Sequence, residues 1–243
     1  MKFAKMFLLL LLLIATCNTN VVNATTMPTI GEAQFSNSAT FSPDDAFLAT
    51  GVSNETTIWH AKSLEKIQTF QNVGADQALF FDKQGDYLYA LSDNQLSAIH
   101  FESGEVTYQF ASPSRSFTDA VLNDDDDVIY VVEGVTLYYI DALTGEVRNT
   151  FSLSQSAESL AFNEVTGELA IASANGDISI RNGKDGSYVK TIPYSGKPIA
   201  QSATFIEYDS AYSKLYYIHT NTNEYTSQLF VFKSFDVNNN YAE

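Results

Sequence analysis

Leu48, Leu88, Ile129 and Leu169 recur at a nearly constant interval, each inside an apolar stretch. No other feature of the chain constrains its fold as strongly, because a repeated pattern must be a repeated piece of structure. After each comes a second apolar stretch and a turn, at Trp59 to Leu64, Ile99 to Gly104, Ile140 to Gly145 and Arg181 to Gly186. A third anchor closes every unit, at Phe70, Phe110, Phe151 and Ile192.

Within a unit, apolar and polar residues alternate between turn formers, and no helical period follows the N-terminal segment. Each unit reads as four short strands. In the second unit these are Gln77–Phe81, Tyr87–Leu91, Leu96–Phe101 and Val106–Phe110. A period of about 40 to 45 residues holding several strands predicts an all-β fold, a β-propeller. A fifth unit, from about Gln201 to Phe235, holds three strands at looser spacing. The expected fourth strand is Gly31–Phe35, which would pair with the last blade and close a ring of five four-stranded blades. Residues 31–237 are then the propeller, 25–30 a short leading segment and 238–243 a C-terminal tail.

Residues 1–24 read as a cleaved signal peptide. Lys2 and Lys5 precede an apolar run from Phe7 to Ala15, and Val22-Asn23-Ala24 supplies small residues at a cleavage site. The run is shorter than the roughly 20 residues of a spanning helix. Cys17, the one cysteine, would leave with the leader, so no disulfide is expected. Ile14-Ala15-Thr16-Cys17 also resembles a bacterial lipobox, which implies lipidation at Cys17 and an outer-membrane lipoprotein as the alternative. The expected location is periplasmic or extracellular, with no transmembrane span after processing. Of the 13 basic residues two leave with the leader, so 11 face 29 acidic ones, a net charge of −18. That balance repels phosphate backbones and excludes nucleic acid as a partner.

Phe41-Ser42-Pro43-Asp44-Asp45, Leu48-Ala49-Thr50-Gly51 and Thr57-Ile58-Trp59 resemble a WD-type repeat. Ile140-Asp141-Ala142-Leu143-Thr144-Gly145-Glu146-Val147 is similar to the YVTN and quinoprotein-like repeats of exported propellers. The resemblance covers about residues 31 to 237. It departs at the WD dipeptide, which here is Trp59-His60, Ile99-His100, Ile140-Asp141 or Arg181-Asn182, and no Gly-His dipeptide precedes the blades. The docking tryptophans of quinoprotein blades are absent too, so a quinone cofactor is not carried over. No cofactor is expected.

Asp124-Asp125-Asp126-Asp127 reads as a solvated turn, since calcium loops interleave their carboxylates with glycine and carbonyl ligands. His60 and His100 share one repeat position and read, with His219, as turn caps rather than metal ligands. No metal site is expected. The candidate site comes from aligning the first strands, whose starts should open at the mouth of a central channel. Asn37, Asp76, Thr118, Glu158 and Gln201 fall at one level; Ser38, Gln77, Asp119, Ser159 and Ser202 fall at the next. Of these, Asn37, Asp76, Asp119, Glu158 and Gln201 are the binding candidates.

With no catalytic motif in view, the leading expectation is an exported, non-enzymatic scaffold. It would be monomeric and bind another protein through its loop face. The alternatives are carbohydrate or small-ligand binding at the channel mouth, or a glycosidase using Asp76, Asp119 and Glu158.

Overall fold

The computed structural model describes residues 37–114, 116–193, 202–209, 213–223 and 226–243. The expected signal peptide (residues 1–24), Cys17, Gly31–Phe35 and Gln201 lie outside the described residues.

Among the described residues, nineteen strands form five antiparallel sheets, each a meander in chain order. Sheet 1 holds β1 (Ser38–Phe41), β2 (Phe47–Val52), β3 (Glu55–His60) and β4 (Lys66–Gln71). Sheet 2 holds β5 (Ala78–Phe81), β6 (Tyr87–Leu91), β7 (Gln95–His100) and β8 (Glu105–Ala111). Sheet 3 holds β9 (Phe117–Asn123), β10 (Val128–Glu133), β11 (Thr136–Asp141) and β12 (Val147–Ser152). Sheet 4 holds β13 (Ala157–Asn163), β14 (Glu168–Ser173), β15 (Ile178–Asn182) and β16 (Tyr188–Ile192). Sheet 5 has three strands: β17 (Ser202–Asp209), β18 (Lys214–Asn223) and β19 (Thr226–Asp236). Among the described residues there is no α-helix, only 3-10 turns at Asp124–Asp126 and Val237–Asn239.

The apolar runs of sheets 2, 3 and 4 are nearly continuous because both faces of each of these sheets are covered. In β10, Val128, Tyr130 and Val132 join a cluster with sheet 4, while Ile129 and Val131 join one with sheet 2. Two further clusters fill the spaces between sheets 1 and 2 and between sheets 4 and 5. Leu88, Ile129, Leu169 and Leu215 each face the preceding sheet and are fully buried. Full burial of such a side chain stabilises by about 1.5–3 kcal/mol. Their repeat therefore marks the part of the sequence under the strongest packing demand.

Ring closure is where the structure parts from expectation. First strands adjoin in the order β1, β5, β9, β13, β17, but among the described residues β17 shows no comparable packing on β1, and no buried cluster joins sheets 5 and 1. The described residues thus form an open array. Leu48, the sheet 1 counterpart of Leu88, is accordingly only half-buried.

One irregularity repeats. In each four-stranded sheet the outer strand carries a bulge just past its turn, leaving Ile67, Thr107, Arg148 and Val189 without an opposite residue. An extra residue of this kind bends the outer strand and raises its twist. The turn before it holds a left-handed residue: Leu64 (φ 56°), Gly104 (φ 68°), Gly145 (φ 74°) or Gly186 (φ 70°).

Candidate functional site

The polar residues expected at the channel mouth lie at or just before the starts of the first strands where they are described, and they have different duties. Asn37 is exposed, with its backbone N–H donating to the Gly51 carbonyl at 3.0 Å. Asp76 is half-buried, and one of its carboxylate oxygens is shielded from water with no hydrogen-bond donor among the described residues. Glu158 is half-buried. The second level is largely committed to holding neighbouring sheets together. The Ser38 hydroxyl donates to the Ala75 carbonyl, in the connection that leads into sheet 2. Ser159 accepts the Ile206 N–H of sheet 5 at 3.3 Å.

Asp119 makes the strongest of these ties. Its Oδ2 accepts the Leu160 N–H of sheet 4 at 2.7 Å, and its Oδ1 accepts the Ala120 N–H at 2.8 Å. Thr118 beside it donates to the Ala157 carbonyl at 3.2 Å. Burial pushes the Asp119 carboxyl up to about 6, against the downward pull of hydrogen bonds from Leu160, Ala120 and Ser159. A carboxylate with both oxygens engaged by backbone is a joint between β9 and β13. It is poorly placed to greet a ligand.

Sequence reasoning missed Glu133, the last residue of β10, which is 7 % exposed. It accepts hydrogen bonds from the Ser112 and Ser114 hydroxyls, the Ser114 N–H at 3.0 Å and the Tyr138 hydroxyl at 3.0 Å. Burial raises its pKa, but these donors outweigh burial and leave it lowered to about 2. Glu133 thereby fixes the connection from β8 to β9 against the β10–β11 turn. The available signal was a lone acid ending the apolar run Val128-Ile129-Tyr130-Val131-Val132.

The tyrosines reach between sheets as well. Tyr89 donates to the Ala142 carbonyl at 3.1 Å, Tyr130 to Gly183 at 3.0 Å and Tyr217 to Gly176 at 3.1 Å. The C-terminal residues 238–243 are tied down rather than loose. Tyr241 donates to Glu168 at 2.5 Å and pairs with the Tyr208 hydroxyl at 2.7 Å, while Lys190 reaches the Asn240 carbonyl.

His100 caps its turn, with Nδ1 3.0 Å from the Ser103 hydroxyl and accepting the Ser103 N–H. Among the described residues no three His, Cys, Asp or Glu side chains converge as a metal site would require. Two shallow clefts stand out among the described residues. One of about 230 Å³ lies between sheets 3 and 4, beside Asp125, Phe162, Glu164 and Lys184. The other, about 150 Å³, lies between sheets 4 and 5, beside Ile192, Tyr217, Phe235 and Tyr241. Both fall below the roughly 300–1,000 Å³ of ordinary small-molecule pockets.

Five meander sheets packed through their innermost strands define the class: an all-β, β-propeller-like repeat protein. No family model matches the chain, and no curated protein matches it either.

Proposed function

We propose that this chain is an exported, non-enzymatic propeller scaffold that binds another protein through one loop face. Export would use the leader of residues 1–24, with lipidation at Cys17 as the alternative, and the chain would act as a monomer. Exposed apolar side chains at turn tips carry the reading. Leu64, Leu143 and Val165 are 62 %, 52 % and 76 % exposed, and all three sit at the end of their sheets that bears the turns from first to second and from third to fourth strand. A turn tip gains nothing from an apolar residue in water, whereas a partner's surface can bury it. Asp44, Asp45, Glu65, Asp125 and Glu164 share that end, which suits a partner with basic groups around an apolar centre.

The commitment of Ser38, Asp119 and Ser159 to neighbouring sheets weighs against a glycosidase built on the channel carboxylates. Small-ligand binding at the channel mouth is the second reading, and the unpartnered oxygen of Asp76 favours it.

Affinity capture from the exported fraction separates the two. The baits are the wild type, a Leu143→Asp, Val165→Asp variant and an Asp76→Lys, Glu158→Lys variant, matched for thermal stability. A protein held by wild type and by the channel variant but lost from the turn variant supports the scaffold reading. Loss from the channel variant alone moves the site to the channel mouth. If none of the baits retains a protein, the scaffold reading falls.

A further inference from the structure

Between sheets 3 and 4, at the end where Val165 stands exposed, three turns enclose the cleft of about 230 Å³. Each turn is held in shape by its own residues. The buried Asn163 side chain accepts the Val165 N–H at 2.9 Å and the Thr166 N–H at 3.2 Å, which sets the turn from β13 to β14. Asn182 accepts the Lys184 N–H at 2.9 Å in the turn from β15 to β16. The Gly183 N–H donates to the Gly167 carbonyl at 2.8 Å and joins these two turns. In sheet 3 the Asp127 N–H closes the 3-10 turn Asp124–Asp126 on the Asp124 carbonyl. The cleft is therefore built before a partner arrives, and binding would not bear the entropy of ordering it.

Its lining grades from apolar to charged. Innermost are Asn123, which is 4 % exposed, and the half-buried Phe162, whose ring centre lies 5.4 Å from that of Tyr130. Asp125 of sheet 3 and Glu164 of sheet 4 line it as exposed carboxylates. Lys184, also exposed, opposes them with a single positive charge, so the lining is net negative among the described residues.

A space of this size admits one side chain rather than a drug-sized molecule, and the anchors of protein interfaces are large side chains seated in such pockets. Of the cationic side chains, arginine fits better than lysine. Its planar guanidinium stacks on aromatic rings, bonds carboxylates through several N–H groups and is more weakly hydrated than an ammonium. Its stem finds apolar surface at Phe162 and Val165. The chain's formal net charge of −16 would steer a basic partner toward it.

We propose that this cleft receives an arginine side chain of the partner protein, its guanidinium bonded to Asp125 and Glu164 and its stem laid on Phe162. The inference rests on the scaffold reading above and names the residue that the partner must present. An apolar neighbour of that arginine would cover Val165.

The test titrates the isotope-labelled full chain with three synthetic peptides. They are acetyl-Leu-Arg-Leu-amide, its lysine counterpart, and its citrulline counterpart, which keeps the shape of arginine without the charge. The arginine peptide should give saturable amide shifts at residues 124–127, 164–167 and 182–184. The citrulline peptide should bind about tenfold more weakly, as loss of a charge-assisted contact implies. Asp125→Asn with Glu164→Gln, matched to wild type in thermal stability, should weaken the arginine peptide by a similar factor, and Lys184→Gln should tighten it. Equal binding of the arginine peptide and either counterpart, an affinity unmoved by the double variant, or no saturable shift at these turns would overturn the inference. The same double variant, added to the affinity capture above, separates this inference from the scaffold reading. A partner that it keeps, but that Leu143→Asp with Val165→Asp loses, overturns the arginine cleft and leaves the scaffold standing. Loss of the partner from both variants supports the cleft.

Discussion

The Tyr130 hydroxyl donates to the Gly183 carbonyl in the next sheet, and Tyr89 makes the equivalent bond to Ala142. Tyr130 and Tyr89 occupy one repeat position, and their acceptors occupy another. Each bond thus ties one repeat unit to the next. In Tyr130 the hydroxyl also accepts from the Asn123 amide at 3.1 Å, so a buried polar pair depends on it. Strict WD repeats join strands through a shared hydrogen-bonded tetrad; here a tyrosine from one sheet to the next does comparable work.

Tyr130→Phe should cost about 1–3 kcal/mol, because it strips a partner from both the Gly183 carbonyl and the Asn123 amide inside the protein. For a chain of this size that is a fall in Tm of roughly 2–4 °C per kcal/mol. Urea denaturation of the variant beside wild type measures it, and a midpoint unchanged within error would show that the bond contributes nothing net.

Acid should loosen the connection between β8 and β9 through Glu133. Its folded pKa lies below the usual 4.5, so its contribution is in place above pH 4.5 and is lost as pH falls toward about 2. Glu133→Gln should flatten that part of the stability curve and cost about 1.5–3 kcal/mol at pH 7, the range for hydrogen bonds to a charged group. Denaturant midpoints taken from pH 5 to pH 2 provide the check.

Asp119 works with the opposite sign. Its folded pKa is raised from 3.8 to about 6, so the stability tied to its protonated form is complete below pH 3.8 and is lost as pH rises through 6. Over that window wild type should lose about 1–3 kcal/mol that Asp119→Asn does not lose. Parallel curves for the two proteins between pH 4 and pH 7 would refute the assignment.

The turn glycines are not interchangeable with other residues, and Leu64 is the exception that tests this. A Cβ on Gly145 would run into the Tyr108 ring, and the left-handed φ adds strain. Gly145→Ala should therefore destabilise by about 1–3 kcal/mol. Leu64 holds the same left-handed conformation while 62 % exposed. Relief of a left-handed cost of about 1–2 kcal/mol, less the added chain entropy of glycine, should make Leu64→Gly neutral or up to about 1 kcal/mol stabilising. In thermal unfolding, Gly145→Ala should lower Tm while Leu64→Gly leaves it unchanged or raises it.

The repeat was legible in sequence because packing enforces it: Leu88, Ile129 and Leu169 are buried against a preceding sheet, and few residue types fill such sites. The placement of Ser38, Asp119 and Ser159 on first strands was legible too, since a strand's start is marked by its turn. Their chemistry was not. Asp119 looks the same in a sequence whether it faces a ligand or the Leu160 N–H, because the offset between two adjacent first strands leaves no local trace. Glu133 escaped for a related reason, as its serine donors Ser112 and Ser114 lie far upstream, in the connection that leaves another sheet. The C-terminal turn was hidden by composition: Val237-Asn238-Asn239-Asn240 carries no apolar period, and it is anchored by Tyr241 and by Lys190 from another sheet.

Packing between consecutive sheets has a mechanical corollary. Each inner sheet leans on two neighbours, so damage at one interface is shared locally and fades within a sheet or two, as in a chain of coupled springs. The described residues give sheet 5 a single neighbour, sheet 4, clamped chiefly by Tyr217, Tyr241 and Lys190. Pulled or heated, such an array parts first where the coupling is one-sided, and loss of order should travel inward from its ends rather than begin at the middle.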